Sequence, residues 1–296
     1  MNIPDSPSRN AQINYIAAIP FFLVHLIGIY GLFLDSTWFE WKICLALYFI
    51  RMFFITAGYH RYFSHRTYKT SRWFQFLIAF MAQTSAQKGV LWWACHHRDH
   101  HRHSDKPEDP HSMKLYGFLY SHIGWILTKE FDETNFKKVK DLASFPELVF
   151  LNKYHLIPPI LLGAVVFFLG GFHYQSLGMP FLNGALTTLV IGFFLSTVIL
   201  YHGTFLINSL MHKIGKIRYK TEDESRNSLL LALITLGEGW HNNHHYYQGS
   251  TRQGFYWWEI DISFYILKIL ETLGLVWDLR GVPQSIRDGN KAHGAR

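Results

Sequence analysis

Four stretches of this chain are apolar over the length needed to cross a bilayer, and nothing else in the sequence limits its fold as strongly. Residues 15–34 and 156–174 contain no Asp, Glu, Lys or Arg. Residues 185–207 carry His202 as their one imidazole and no charged side chain, and residues 43–59 are interrupted only by Arg51. A span needs about 20 such residues to cross a ~30 Å hydrocarbon core. Arg51 must therefore reach an interface or face the protein interior. These stretches predict an all-α membrane protein with four transmembrane helices in two hairpins, at about 15–34, 43–59, 156–174 and 185–207.

The basic residues give these hairpins a direction. Fourteen Lys/Arg lie between Arg61 and Lys153 and eleven between Lys213 and Arg296, together 25 of the 28 in the chain. The turns on the other side offer only Lys42. The positive-inside rule then places residues 60–155, residues 208–285 and both termini in the cytoplasm. Basic flanks beside anionic lipid headgroups account for the net charge of +7 without a nucleic-acid partner. Hydrophobic residues make up 49% of the chain, yet mean hydropathy is only +0.04, as expected if a sizeable water-facing cap sits on the spans. The start, Met1-Asn2-Ile3-Pro4-Asp5, lacks the layout of a cleavable signal, so the first span is expected to act as an uncleaved anchor. Two cysteines, Cys44 and Cys95, suggest no disulfide framework.

No internal repeat divides the chain, which reads as one domain over 1–296. Residues 73–93 are amphipathic and aromatic but broken by Gln75, Gln83, Gln87 and Lys88, and predict a helix at the interface or under the cap rather than a fifth span. Lys106-Pro107-Glu108-Asp109-Pro110 reads as a rigid turn, residues 260–275 as an amphipathic helix, and the last dozen residues as loose. The pairs Trp92-Trp93 and Trp257-Trp258 either line an internal path for substrate or sit at the headgroup belt, with the belt as the first reading. Nothing reads as a sheet.

Three histidine clusters carry the chemistry: His60 and His65; His97, His100 and His101; His241, His244 and His245. A single histidine is ordinarily a satisfied core or surface residue, but eight at this spacing are not. On a helix, positions three and four apart share a face, so each triplet can aim two or three imidazoles at one point. Asn208 and His212 stand four apart just past the fourth stretch, and His60 follows directly on the second. If those two helices run on beyond the membrane, they carry His60, His65, Asn208 and His212 to the other clusters. Imidazole suits Fe, Cu, Zn and Ni, and the absence of Cys in the clusters disfavours a finger-type zinc site. Nine imidazoles exceed what one ion can use, so two ions are expected.

At these residues the chain resembles the integral-membrane fatty acid desaturases, specifically the Δ9 acyl-CoA (stearoyl-CoA-type) group in a bacterial-like form. The boxes HxxxxH, HxxHH and HxxHH are all present. So are the flanking words Ile55-Thr56-Ala57-Gly58, Asp109-Pro110-His111, Ser121-His122-Ile123-Gly124-Trp125, Gly237-Glu238-Gly239-Trp240 and Val276-Trp277-Asp278. The resemblance covers roughly residues 15–285. It implies a helical cytoplasmic cap holding a di-iron site. The implied ligands are His60, His65, His97, His100, His101, His212, His241, His244 and His245, with Asn208 holding a water. It further implies two iron ions, O2 as co-substrate, and removal of two hydrogens from adjacent methylenes to leave a cis double bond.

The chain departs from the animal enzymes before the second box. There the stretch reads Trp-Ala-Arg-Asp and its Arg-Asp pair contacts the CoA portion; here it is Trp93-Ala94-Cys95-His96, so acyl-CoA and acyl-lipid substrates both stay open. His96, Asp99, His103, Asp105 and His111 are candidates to orient ligands or to meet substrate. The remaining histidines, His25, His122, His155, His173, His202 and His293, read as structural or solvent-facing. With no cytochrome b5 segment evident, the expected donor is a separate ferredoxin or a cytochrome b5-like protein with its reductase. The expected setting is a bacterial inner membrane. The rival readings are a related lipid or alkane hydroxylase and an iron-binding membrane transporter or sensor.

Overall fold

The structure is a computed structural model and describes residues 12–292. Four helices are long and apolar enough to cross a membrane: Tyr15–Phe33, Trp38–Ser64, Ile157–Ser176 and Phe181–His212. The protein is thus a mostly helical, multi-pass membrane protein, as its apolar stretches predict. The reading of the first residues and of His293 lies outside the described residues.

Local chemistry sets the helix starts. Asn14 Oδ1 accepts the Ala17 N–H at 3.2 Å and opens the first span. Thr37 and Glu40 form a reciprocal capping box at the second, with the Thr37 N–H 2.7 Å from the Glu40 carboxylate. Small residues then let the spans close on one another. A Cβ at Gly170 would sit 2.2 Å from the Thr188 side chain, so spans three and four approach as only glycine permits. Arg51 takes the inward alternative. Its guanidinium is fully buried and donates to Thr197 Oγ1 at 2.7 Å and Ser196 Oγ at 2.5 Å, tying span two to span four.

Spans two and four run to 27 and 32 residues, about 40 and 48 Å of helix against a ~30 Å core, so both project beyond the membrane. The projecting end of span two, Phe54–Ser64, is wound as a π-helix. The His65 N–H donates to the His60 carbonyl at 3.2 Å, an i→i+5 bond. Residues five apart on an α-helix point about 140° from each other. The wider π turn brings His60 and His65 onto one side.

The cap is built from short helices, among them Arg72–Gln83, Val90–His103, Met113–His122, His241–Tyr246 and Ile262–Thr272. Its one sheet among the described residues pairs Lys69–Thr70 with Val276–Trp277. Helix Arg72–Gln83 buries Phe74, Ile78, Ala79 and Ala82 and exposes Trp73, Phe76 and Leu77, the expected face of an interfacial helix.

Three expectations need correction. Residues 73–93 are not one helix: the chain breaks after Gln83 and restarts at Val90. Ala86 and Lys88 adopt positive φ, and Asn152 Oδ1 caps the new helix by accepting the Leu91 and Trp92 N–H groups. The last dozen residues are not loose through 292. Gln284–Asp288 is helical, Lys291 bridges Tyr219, and the Ala292 N–H donates to the Arg218 carbonyl at 2.8 Å. Trp92 and Trp93 take the interior alternative rather than the belt. Trp92 is buried with its indole N–H on the Phe131 carbonyl, and Trp93 stacks on His97, whereas Trp257 is exposed as a belt residue would be.

Candidate metal centre

The projecting helices and two cap helices bring the histidine clusters together as two groups. His60, His65, His97, His101 and His244 form one; His100, His212, His241 and His245 form the other, and each could hold a metal ion. His97 and His101 lie one turn apart on Val90–His103, while His100 on the same helix turns to the second group. His244 and His245, adjacent on the short helix His241–Tyr246, likewise divide between the two.

In the five-histidine group the Nε2 atoms face inward. His60 and His244 are 2.9 Å apart, as are His65 and His97, and His244 and His101; His101 and His97 are 3.0 Å apart. Metal–nitrogen bonds of about 2.1 Å place neighbouring corners of an octahedron about 3.0 Å apart and those of a tetrahedron about 3.4 Å apart. Separations of this size let several of these nitrogens share one ion. In the four-histidine group the Nε2 atoms of His212 and His241 are 3.1 Å apart. The Nε2 atoms of His100 and His245 are buried without a hydrogen-bond partner. An unsatisfied buried nitrogen costs ~1–3 kcal/mol, and a bound cation removes that cost. The donor set therefore fits two metal ions.

Carboxylates stand behind the rings. His100 Nδ1 donates to Asp109 at 2.9 Å, and His245 Nδ1 to Asp223 at 2.6 Å. His60 Nδ1 lies 2.5 Å from Glu238, and His212 Nδ1 lies 3.9 Å from Asp105. Carboxylates within hydrogen-bond reach, as at His100, His245 and His60, fix the tautomer with the proton on Nδ1 and leave the Nε2 lone pair facing the centre. Glu238 also takes the buried Arg61, whose other hand holds Asp261 at 2.9 Å.

Electrostatics keep most rings neutral. Burial, reinforced by neighbouring imidazoles, holds His65, His97, His101, His241 and His244 well below the ordinary range. Burial lowers His245 to about 4 despite Asp223. His100 is the exception: burial disfavours its charge, but Asp109 outweighs burial and raises it. Asp109 and Asp223 resist burial through their histidine partners and sit below the usual carboxylate range.

All nine predicted histidines lie in these two groups. Asn208 ends the helix Ser196–Asn208, with its main-chain oxygen accepting the Ser121 hydroxyl at 2.8 Å, and a 3₁₀ turn then delivers His212. Of the proposed orienting residues, Asp105 stands behind His212 and His111 stacks on His100 at 4.2 Å. Asp99 instead pairs with Lys138, and His103 reaches only Glu108 at 4.0 Å. His96 turns away among Trp92, Trp125 and Phe131, with its ring nitrogen 3.2 Å from the Glu133 carbonyl. His122 bonds His202 at 3.0 Å and Ser209 at 2.9 Å, and His173 stacks on Phe39, both structural as expected. The sequence reading missed Asp223 altogether and treated Glu238 and Asp109 as flanking letters. Only their place in a box-flanking word marked the latter two, and Asp223 carries no such signal.

Residues 36–268 match the family model described as fatty acid desaturase. The chain is 35% identical over 278 residues to an sn-1 stearoyl-lipid 9-desaturase of Anabaena variabilis, covering 92% of this chain and 96% of that protein. It is 35% identical over 275 residues to Delta-9 acyl-lipid desaturase 2 of Arabidopsis thaliana, covering 92% and 84%. It is 34% identical over 274 residues to an acyl-CoA C20 Delta5-desaturase of Anemone leveillei, covering 88% and 82%. With the histidine groups set above four apolar helices, these matches identify the chain as a membrane-bound oxidoreductase of the fatty acid desaturase family.

Proposed function

We propose that this protein is an O2-dependent desaturase that places a cis double bond at carbon 9 of a saturated acyl chain carried by a membrane lipid. The observation that carries the reading is the pair of facing imidazole groups, five and four strong, backed by buried carboxylates. Two irons would be held by His60, His65, His97, His101 and His244 on one side and by His100, His212, His241 and His245 on the other, with Asn208 reaching the second through a water. Iron supplies the redox chemistry with O2 that zinc lacks.

The chain's own residues do the rest. The carboxylates of Asp109, Asp223 and Glu238 hold the rings in one tautomer, so each Nε2 is ready as a ligand. Trp93, stacked 4.8 Å from His97 and 5.4 Å from Tyr59, forms a rigid apolar wall beside the centre. Near-identical methylenes can be told apart only by position, and a wall of this kind limits which of them approach the metals.

The lipid carrier is favoured by two findings. Relatives aligned over nearly the whole chain are named lipid desaturases. Cys95 is fully buried and His96 faces the Glu133 carbonyl, so neither side chain is open to a nucleotide headgroup. The acyl-CoA reading is kept in view by the Anemone leveillei relative. The basic cap suits the cytoplasmic side of a bacterial inner membrane, with a separate ferredoxin or cytochrome b5-like donor and its reductase.

Expression in a host lacking unsaturated fatty acids, followed by chromatography of its lipids, tests the reaction. A 9-monoene supports it, while a hydroxylated chain or an unchanged profile sinks it. Offering membranes a saturated glycerolipid or a saturated acyl-CoA, each isotopically labelled, then decides the carrier.

A further inference from the structure

The lipid-facing side of the bundle holds a groove of about 470 Å³ between spans one, three and four, within the ~300–1,000 Å³ of pockets that seat small ligands. Its floor is apolar, with Val24, Gly163, Phe167, Leu189, Phe194 and Thr197 among the lining residues. Along span three the lining runs from Leu156 to Phe168, about 18 Å of helix, slightly more than one leaflet of a ~30 Å core. The groove is therefore one leaflet deep, and it lies in the half of the membrane next to the cap.

At its cap-side end the chain leaves the apolar span for polar residues. Leu156 follows His155, whose Nδ1 is buried with no partner, and Lys153, which is exposed. Ala86, also at this end, belongs to the strained connection after Gln83, where Ala86 and Lys88 have φ of 57° and 61°. That connection touches the metal centre's surroundings on its other side. Tyr59 donates to the Lys88 carbonyl at 2.7 Å, Tyr59 stacks on Trp93, and Trp93 stacks on His97. Tyr201 holds the Ala86 carbonyl at 2.9 Å.

We propose that this groove seats one acyl chain of a cap-side-leaflet glycerolipid, with its ester and headgroup at His155 and Lys153, and that it is the side port by which the lipid-borne substrate reaches the connection at residues 84–89. The port role rests on the acyl-lipid reading above; the lipid site does not. A one-leaflet apolar slot, open sideways to hydrocarbon, matches a lipid tail, and the chain turns polar at Lys153 and His155 just before the cap-side lining residue Leu156. Gly163 sets the depth. A Cβ there would meet Leu189 and Phe193 at ordinary contact distances of 3.7 and 3.8 Å, so Gly163→Ala fits and Gly163→Trp fills the slot.

The test uses the full chain in phosphatidylcholine vesicles containing a phosphatidylcholine with a diazirine partway along one chain, with adducts mapped by peptide mass spectrometry. Adducts should concentrate several-fold at Phe167, Leu189 and Phe194 over the lipid-facing Leu23 and Leu26, persist in Gly163→Ala and vanish in Gly163→Trp. Even labelling of both sets overturns the lipid site. Gly163→Trp should also lose desaturation of membrane lipid while keeping its iron content; unchanged desaturation overturns the port. If the wild type desaturates acyl-CoA alone, the carrier reading fails and the port with it, while concentrated labelling would still uphold the lipid site.

Discussion

The two histidine groups differ in what holds them. The five-histidine group leans on one carboxylate, Glu238, which is shared with the buried Arg61–Asp261 pair at the projecting end of span two. The four-histidine group leans on Asp109 and Asp223, both from connecting segments of the cap. One half of the centre is thus anchored to a membrane helix through a buried ion network, the other to loops through separate charge-assisted bonds. Damage to the first should be felt by the fold, and damage to the second by the metal.

The largest expected effect is common to both halves. His101→Ala and His244→Ala each remove a ring at the crowded centre of the five-histidine group and should abolish desaturation without impairing membrane insertion. Desaturation surviving in both variants would sink the site assignment. Next comes Arg61→Met, which strands Glu238 and Asp261 as buried charges. Breaking such a network costs about 3–5 kcal/mol, read as a fall in the thermal midpoint of the detergent-solubilised protein; an unchanged midpoint would refute the anchoring role. Asp223→Asn and Asp109→Asn should be gentler on the fold and cut metal affinity or activity ~10–100-fold. Iron analysis of these variants should give a value nearer one than two per chain, and full loading would break the contrast between the halves. The smallest effect is expected from His96→Gln, which touches no ligand ring. Its iron content should stay at the wild-type level, and a loss would return His96 to the ligand surroundings.

Much of this architecture is legible in the sequence because its signals are local. Charge-free stretches mark spans by length, and HxxHH marks a helical face because three and four residues nearly complete an α turn. The chain break inside residues 73–93 is not local. It depends on Asn152, some sixty positions away, offering its side-chain oxygen to the Leu91 and Trp92 N–H groups. Trp92 and Trp93 look like belt aromatics until the fold encloses them.

By itself the sequence determined four apolar helices, a one-sided basic cap and nine histidines with the spacing of metal ligands. The tertiary structure alone decided how those nine divide, because neighbouring residues on one helix, His100 and His101 or His244 and His245, turn to different groups. It also decided that span two finishes in a π-helix, where the wider turn brings His60 and His65 together as α winding would not. It alone supplied Asp223, since a carboxylate finds its histidine through space and leaves no spacing in the chain to read.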